Sequence, residues 1–238
     1  MSTDEARSIL AGARSIVVLT GAGISAESGV PTFRGPGGLW RNYRPEDLAT
    51  PQAFHEDPRL VWEWYAWRRG LIAQARPNPG HEALATLERR SPAFTLITQN
   101  VDGLHALAGS RAILEIHGNL WRTRCLGCDT VGEDRAMTLD RIPPLCPCGS
   151  LLRPDVVWFG EALPEDLLGR SIAAVETCDL MLVIGTSGVV QPAASFADAA
   201  LSRGVPVVEI NLDPTPLSDR ATVALQGRSG QILPRLIS

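Results

Sequence analysis

Cys125, Cys128, Cys146 and Cys148 stand as two close pairs, the first separated by two residues, the second by one, with seventeen residues between them. Two such pairs, brought together by the intervening loop, can set four thiolates tetrahedrally about zinc. Protein fills every coordination position in such a site, so the metal would be structural and not catalytic. The Cys146-Pro147-Cys148 pair is tighter than the commoner two-residue spacing. A redox pair is the alternative, and four clustered cysteines favour metal. Cys178 stands alone before an apolar run and reads as a small core residue. An odd total of five cysteines argues against a disulfide framework.

Other chemistry-bearing residues follow short apolar runs. Gly21-x-Gly23-x-x-Ala26 comes directly after Ser15–Thr20 and matches the dinucleotide fingerprint in its Gly/Ala form. There, glycines permit a tight turn and bring backbone N–H groups close to a pyrophosphate. The acid expected about 20 residues further on, at the end of a second strand, is missing because that region is the Arg34–Pro36 loop, which makes a hydride-transferring dehydrogenase a poor fit. Gln99-Asn100-Val101-Asp102 follows Phe94–Thr98, and His117-Gly118-Asn119 follows Ala112–Ile116. A histidine at a strand end has the unperturbed pKa of a general base, although a single one is more often structural. Gly185-Thr186-Ser187 and Asn211-Leu212-Asp213 add small and amide groups suited to phosphate and ribose hydroxyls.

These residues need a frame, and the chain supplies one. Runs with β-branched character at Ser15–Thr20, Phe94–Thr98, Ala112–Ile116, Leu180–Ile184 and Val205–Ile210 alternate with helix-like stretches at Pro58–Ala73, His81–Arg90, Pro164–Thr177 and Pro192–Arg203. That alternation predicts an α/β fold: a doubly wound parallel, Rossmann-like sheet with ligands at the carboxyl ends of the strands. Two stretches break it. Pro31–Asp47 is rich in Gly, Pro and Arg and reads as a long mobile loop that closes over a ligand, and Trp121–Pro154 holds the cysteines and no convincing sheet strand. The expected organisation is therefore a discontinuous nucleotide-binding domain over 1–30, 78–118 and 155–238, a loop and helical segment over 31–77, and a smaller inserted zinc-binding module over 119–154.

Composition bounds the function. The chain has 238 residues, 45% hydrophobic and 20% charged, which suits one soluble domain with an insertion. A net charge of −4 leaves no electrostatic footprint for nucleic acid, and no apolar run approaches the ~20 residues of a membrane span. The start of the chain lacks the basic and apolar stretches of a secretory signal, so a cytoplasmic location is expected. All 22 basic residues are arginine. This excludes Schiff-base lysine chemistry and a Walker-type lysine. An enzyme acting on acyl-lysine could not have its own side chains as substrates.

Taken in order, Gly21–Trp40 (GAGISAESGVPTFRGPGGLW), Thr98–His105 (TQNVDGLH), His117–Leu120 (HGNL), Leu152–Glu161 (LRPDVVWFGE), Gly185–Ser187 (GTS) and Ile210–Asp213 (INLD) resemble the sirtuin family. The likeness runs from Gly21 to about Asp213, and the cysteine pairs fall where that family inserts its zinc-binding domain. It implies an NAD-dependent protein-lysine deacylase whose partners are acyl-lysine proteins or peptides. By resemblance, Gly21, Ala22, Gly23, Ser25, Ala26, Thr32, Phe33, Arg34 and Trp40 would bind the pyrophosphate and ribose of NAD, with Arg34 on the closing loop. Gln99, Asn100, Val101 and Asp102 would form the nicotinamide and ribose pocket, Asn100 and Asp102 acting in catalysis with His117 as base. Gly185, Thr186, Ser187, Asn211, Leu212 and Asp213 would hold the adenosine half, with Ser229 as a last adenine contact. Val157, Trp158, Phe159 and Gly160 would line the acyl-lysine channel and pair with the peptide backbone. In that family the acyl oxygen attacks the ribose carbon bearing nicotinamide, and the products are free lysine, nicotinamide and O-acyl-ADP-ribose.

Tyr65 and Arg68 match the Tyr-x-x-Arg pattern of the sirtuin branch that removes succinyl, malonyl and glutaryl groups. Three residues apart, a phenol and a guanidinium share a helical face and can clamp a carboxylate. On composition alone the same segment reads as an amphipathic helix with core aromatics and a solvated arginine. The resemblance turns the expectation to a desuccinylase and demalonylase that also removes acetyl groups. Two other readings remain: a protein ADP-ribosyltransferase using the same NAD site, and a zinc-ribbon interaction module on an inactive nucleotide fold. The oligomeric state is open, with a monomer favoured.

Overall fold

In the computed structural model, residues 3–32 and 44–238 are described. Strand β1 (Ser15–Thr20) is buried at every residue after its first, as a central strand covered on both faces must be. It pairs in parallel with β2 (Ala93–Thr98), which in turn pairs with β3 (Ile113–Glu115). After a small antiparallel sheet of β4 (Gly118–Cys125), β5 (Val131–Glu133) and β6 (Leu152–Val156), the chain returns to the other side of β1 with β7 (Leu180–Ile184), β8 (Val207–Asn211) and β9 (Val223–Gln226). The main sheet thus has six parallel strands in the order β3-β2-β1-β7-β8-β9. Strand order reverses between β1 and β7, and the crevice beyond their carboxyl ends is where such sheets take ligands.

Helices α1 (Thr3–Gly12), α2 (Pro45–Leu48), α3 (Pro51–Glu56), α4 (Pro58–Ile72), α5 (Pro79–Arg90), α6 (Leu104–Leu107), α7 (Glu165–Thr177), α8 (Ser195–Ser202) and α9 (Ser229–Ile237) complete the described elements, together with a short 3-10 helix at Ala22–Ser28. The sheet's two-residue period sorts the core. Ile16, Val18, Leu96 and Leu182 face Ala6 of α1, Leu84 of α5 and Leu233 of α9. Val17, Leu19, Ile97 and Val183 face Val175 of α7 and Phe196 of α8. Each such side chain, taken fully out of water, contributes about 1.5–3 kcal/mol before entropy is counted. A third cluster lies between α3–α4 and the small sheet, built on Phe54, Trp62, Tyr65, Leu120 and Trp158.

Local signals explain where α4 and α5 begin. Asp57 accepts from the Leu60 N–H at 2.9 Å and Pro58 occupies the first turn, where its missing N–H is no loss. Asn78 caps α5 in a reciprocal box in which the His81 ring replaces the usual acid. Arg69 then ties α4 to the small sheet. Its Nε donates to the Leu120 carbonyl at 2.8 Å and its Nη1 to Asp134 at 2.8 Å.

Within Trp121–Pro154, where the sequence pattern shows no sheet strand, β5 and most of β4 and β6 form a sheet of their own. The apolar period is hidden because Arg122, Arg124 and Arg153 take alternate positions and pair with acids: Arg122 with Glu115 and Asp155, Arg124 with Asp155, Arg153 with Glu161. Helices α1 and α9 and strand β9 are likewise additions to the sequence expectation. No helix of the described residues is long and apolar enough to cross a membrane.

Candidate active site

The turns after β1 and β7 meet so closely that side chains have no room. Gly21 N donates to Ile184 O at 3.0 Å, and Gly23 N to Gly185 O at 2.8 Å. A Cβ on Gly23 would stand 2.7 Å from Gly185. The fingerprint glycines therefore serve packing between two strand ends as well as any approach to a pyrophosphate. Around this junction lies a cavity of about 1120 Å³. It is lined by Gly21, Ala22, Gly23, Ala26, Thr32, Gln99, Asn100, Val101, His117, Gly185, Thr186, Ser187, Asn211, Leu212, Asp213 and Ser229, and also by Tyr65, Arg68, Val157, Trp158, Phe159 and Gly160. Phe33, Arg34 and Trp40 lie outside the described residues. Ser25 and Asp102 stand behind the cavity wall, both buried.

His117 lies two residues past the end of β3 and opens into β4 through Gly118, whose φ is +80°. A Cβ there would collide with the Asp155 carbonyl, so only glycine lets the chain leave the main sheet for the small one at this point. The imidazole Nδ1 lies 3.1 Å from the Gln99 carbonyl oxygen. That oxygen can only accept, so Nδ1 holds the proton and Nε2 keeps its lone pair. Burial pushes the His117 pKa down, the Gln99 carbonyl pulling it partly back. A neutral imidazole with a basic Nε2 at the cavity wall has the state a general base requires.

Beneath it runs a buried polar network. Ser25 Oγ donates to Asp102 Oδ2 at 2.8 Å and accepts from Asn100 Nδ2 at 3.2 Å. His81 Nδ1 takes the Asn78 N–H, so its Nε2–H points at Ser25 Oγ, 3.3 Å away. His105 Nε2 lies 3.0 Å from Thr20 Oγ1, which donates to Thr98 Oγ1, and Thr98 Oγ1 accepts the Asn100 N–H. Both imidazoles are neutral. Burial lowers His81 to about 4 and His105 well below its ordinary range. Asp102 also accepts from Leu104 N at 2.8 Å, yet burial outweighs these donors and raises its pKa. The sequence pattern gives His81, Thr20 and Thr98 no site role; the signal was polar residues inside otherwise apolar runs.

At the other end, α4 brings Trp64, Tyr65 and Arg68 to the cavity. Arg68 is 4% exposed, its guanidinium 4.8 Å from the Trp64 ring centroid and 5.5 Å from that of Tyr65. Burial lowers its pKa, opposed by Tyr65 and Asp102. Beside Asn211–Asp213, Thr215 and Ser218 donate to the buried carboxylate of Glu209, anchoring the loop after β8. A lone acid in the apolar run Val207–Ile210 was the available sign.

Outside the cavity, the four cysteine sulfurs lie within 4.8 Å of one another. Cys125 and Cys148 Sγ are 3.4 Å apart, and Cys128 and Cys146 Sγ 3.7 Å. Tetrahedral Zn–S bonds of about 2.3 Å require sulfurs roughly 3.8 Å apart, so the set fits zinc despite the tight second pair. Gly127 and Cys128 N–H groups point at Cys125 Sγ. Donors from the backbone and hydroxyl of Ser150 hold the Cys148 thiol down to about 6. Cys146, although drawn down by the Cys148 N–H, is pushed up to about 12 by burial and the neighbouring sulfurs. All four can lose their protons together only around a cation.

The Sir2 family profile matches residues 21–192. The chain is 55% identical over 230 residues to "NAD-dependent protein deacylase 2" of Pyrobaculum aerophilum, covering 96% of this chain and 92% of that one. Among solved structures, a Sir2 homologue in complex with NAD superposes with a TM-score of 0.92 at 50% identity, covering 100% and 93% of the two chains. A Sir2 variant with a deacetylated p53 peptide and 3'-O-acetyl ADP ribose superposes at 0.89 with 35% identity, covering 100% and 98%.

Proposed function

Because this chain belongs to the Sir2 family, we propose that it is an NAD-dependent protein-lysine deacylase, and that it accepts succinyl and malonyl as well as acetyl groups. The carrying observation is the His117 imidazole, fixed by Gln99 O with Nε2 unprotonated on the wall of a cavity that also holds Gly21–Gly23 and Asn100. NAD, consumed as a co-substrate, supplies the electrophilic ribose carbon and the hydroxyl that takes over the acyl group.

In this reading the strand-end turns at Gly21–Ala26 and Gly185–Ser187, with Thr32, bind phosphates and ribose through backbone and small side chains. Gln99, Asn100 and Val101 hold the nicotinamide and its ribose, while Asp102 acts from behind the wall by orienting Ser25 and the turn at Leu104. Asn211, Leu212, Asp213 and Ser229 receive the adenosine half. His117 Nε2 accepts a proton from a ribose hydroxyl, which then attacks the bound acyl carbon. Phe159 and Gly160 are exposed beside Val157 and Trp158, which supports an acyl-lysine peptide adding as a strand there. Cys125, Cys128, Cys146 and Cys148 hold one structural zinc that fixes β4 and β6, and so the segment following His117.

Tyr65 and Arg68 support the acidic-acyl reading: both line the cavity and both are buried. A carboxylate entering there gains a charge-assisted bond in a poorly solvated site. Incubation of the protein and NAD with acetyl-lysine and succinyl-lysine peptides, followed by mass, tests this. The expected result is nicotinamide release with loss of either acyl group. Unchanged peptide masses without nicotinamide release would overturn the enzyme reading, and loss of acetyl alone would overturn the acidic-acyl part.

A further inference from the structure

The indole of Trp158 is held from several sides. Its ring packs on Phe54 with centroids 5.2 Å apart, and the Arg153 guanidinium lies 3.4 Å from its centroid. Arg153 is fixed in turn by a bidentate pair with Glu161 and by Val156 O at 2.8 Å. Glu161 Oε2 also accepts the Trp158 backbone N–H at 2.8 Å. So clamped, the indole Nε1–H donates to the Tyr65 phenol oxygen at 2.9 Å, with both residues buried.

An indole N–H can only donate. Tyr65 Oη must therefore accept, and its own hydrogen is turned away from Trp158. None of the hydrogen bonds within the described residues uses that hydrogen. A phenol so held has one lone pair occupied and its hydrogen aimed away from Trp158, where it can be donated to a ligand beside Arg68. A carboxylate needs donors and offers none, whereas an alkyl chain end gains nothing from them.

We propose that Trp158 is a specificity-determining residue that acts through Tyr65: its indole N–H fixes the phenol as a hydrogen-bond donor, so that Tyr65 and Arg68 select an acyl group ending in a carboxylate. This rests on the acidic-acyl reading above and names the residue that sets the polarity of that seat. Arg153 and Glu161 act one step further back, as positioning residues for the indole.

The test compares kcat/KM for succinyl-lysine and butyryl-lysine in one peptide sequence, two chains of equal carbon count of which one is neutral. Their ratio cancels general losses of activity. Trp158→Phe keeps an aromatic ring and removes the donor; the expected result is a fall of about tenfold in the succinyl/butyryl ratio, the worth of one oriented hydrogen bond. Tyr65→Phe should lower the ratio too, and adding Trp158→Phe to it should lower it no further, since the relay has already lost its last member. An unchanged ratio in Trp158→Phe overturns the proposal, as does an equal fall in the Tyr65→Phe background, which a merely structural tryptophan would give. A wild-type enzyme with no preference for succinyl over butyryl overturns the acidic-acyl reading, and this inference with it.

Discussion

The Gln99 carbonyl oxygen and the His117 Nδ1, 3.1 Å apart, settle which end of the imidazole can do chemistry. The turn after one strand decides the tautomer of a residue after the next. His117→Ala should lower turnover by about 10²–10⁴-fold and leave NAD affinity, read by calorimetry, nearly unchanged. Full retained activity would remove His117 from the mechanism.

The same bond predicts a pH profile. Burial lowers the His117 pKa below its ordinary value of 6.5, so the base is already unprotonated at neutral pH. Activity should be flat through neutrality and fall on its acid side only below that ordinary value. An acid limb centred above 7 would contradict the neutral ring.

Arg68→Met should reduce kcat/KM for succinyl-lysine roughly 10- to 100-fold more than for acetyl-lysine, because only the acidic acyl group loses a charge-assisted partner. Equal losses would assign Arg68 to the packing of α4 and not to the acyl seat.

His81 and His105 make the fold sensitive to acid. Both are held neutral by burial, His81 down to about 4. Once unfolded, each binds a proton near its usual 6.5, so the unfolded chain gains protons first as pH falls. Stability should therefore decline between about 6.5 and 4, with His81 contributing about 3 kcal/mol over that range. Denaturant unfolding at several pH values reads this. In His81→Asn the slope of stability against pH should flatten, and an unchanged slope would exclude His81.

Cys148→Ser, or a strong chelator, should release one zinc per chain and lower the melting temperature by several degrees, since metal binding contributes directly to folding free energy. Metal analysis and calorimetry follow the two effects. Activity should fall with zinc loss even though no cysteine lines the cavity. Full activity in zinc-free protein would disconnect the small sheet from the site.

What was legible in the sequence depended on how local the signal was. The five β-branched runs and the glycine-bearing turns after them carry their period and their punctuation within a few residues, so the parallel sheet and the cavity rim can both be read directly. The metal site was equally plain from spacing. The small sheet was not. Its strands bury one face only against α4 and fill the other with Arg122 and Arg124, which pair with Glu115 and Asp155 from different segments. The buried network was hidden for a similar reason. Nothing near His105 in the chain shows that Thr20 is its partner, a contact 85 positions away. The role of Trp158 lay further still from view, since it depends on a single bond between a loop and a helix.

The His117 carbonyl accepts the Val157 N–H at 2.9 Å. The residue proposed as base and the first residue of the proposed acyl channel are thus tied by a backbone bond, at a separation that no side chain sets. Helix α4 brings Trp64, Tyr65 and Arg68 to the same cavity and has no part in that backbone pairing. Under the proposed reading, exchanges at Trp64, Tyr65 and Arg68 would change the acyl seat without touching the backbone pairing that keeps His117 and Val157 in register.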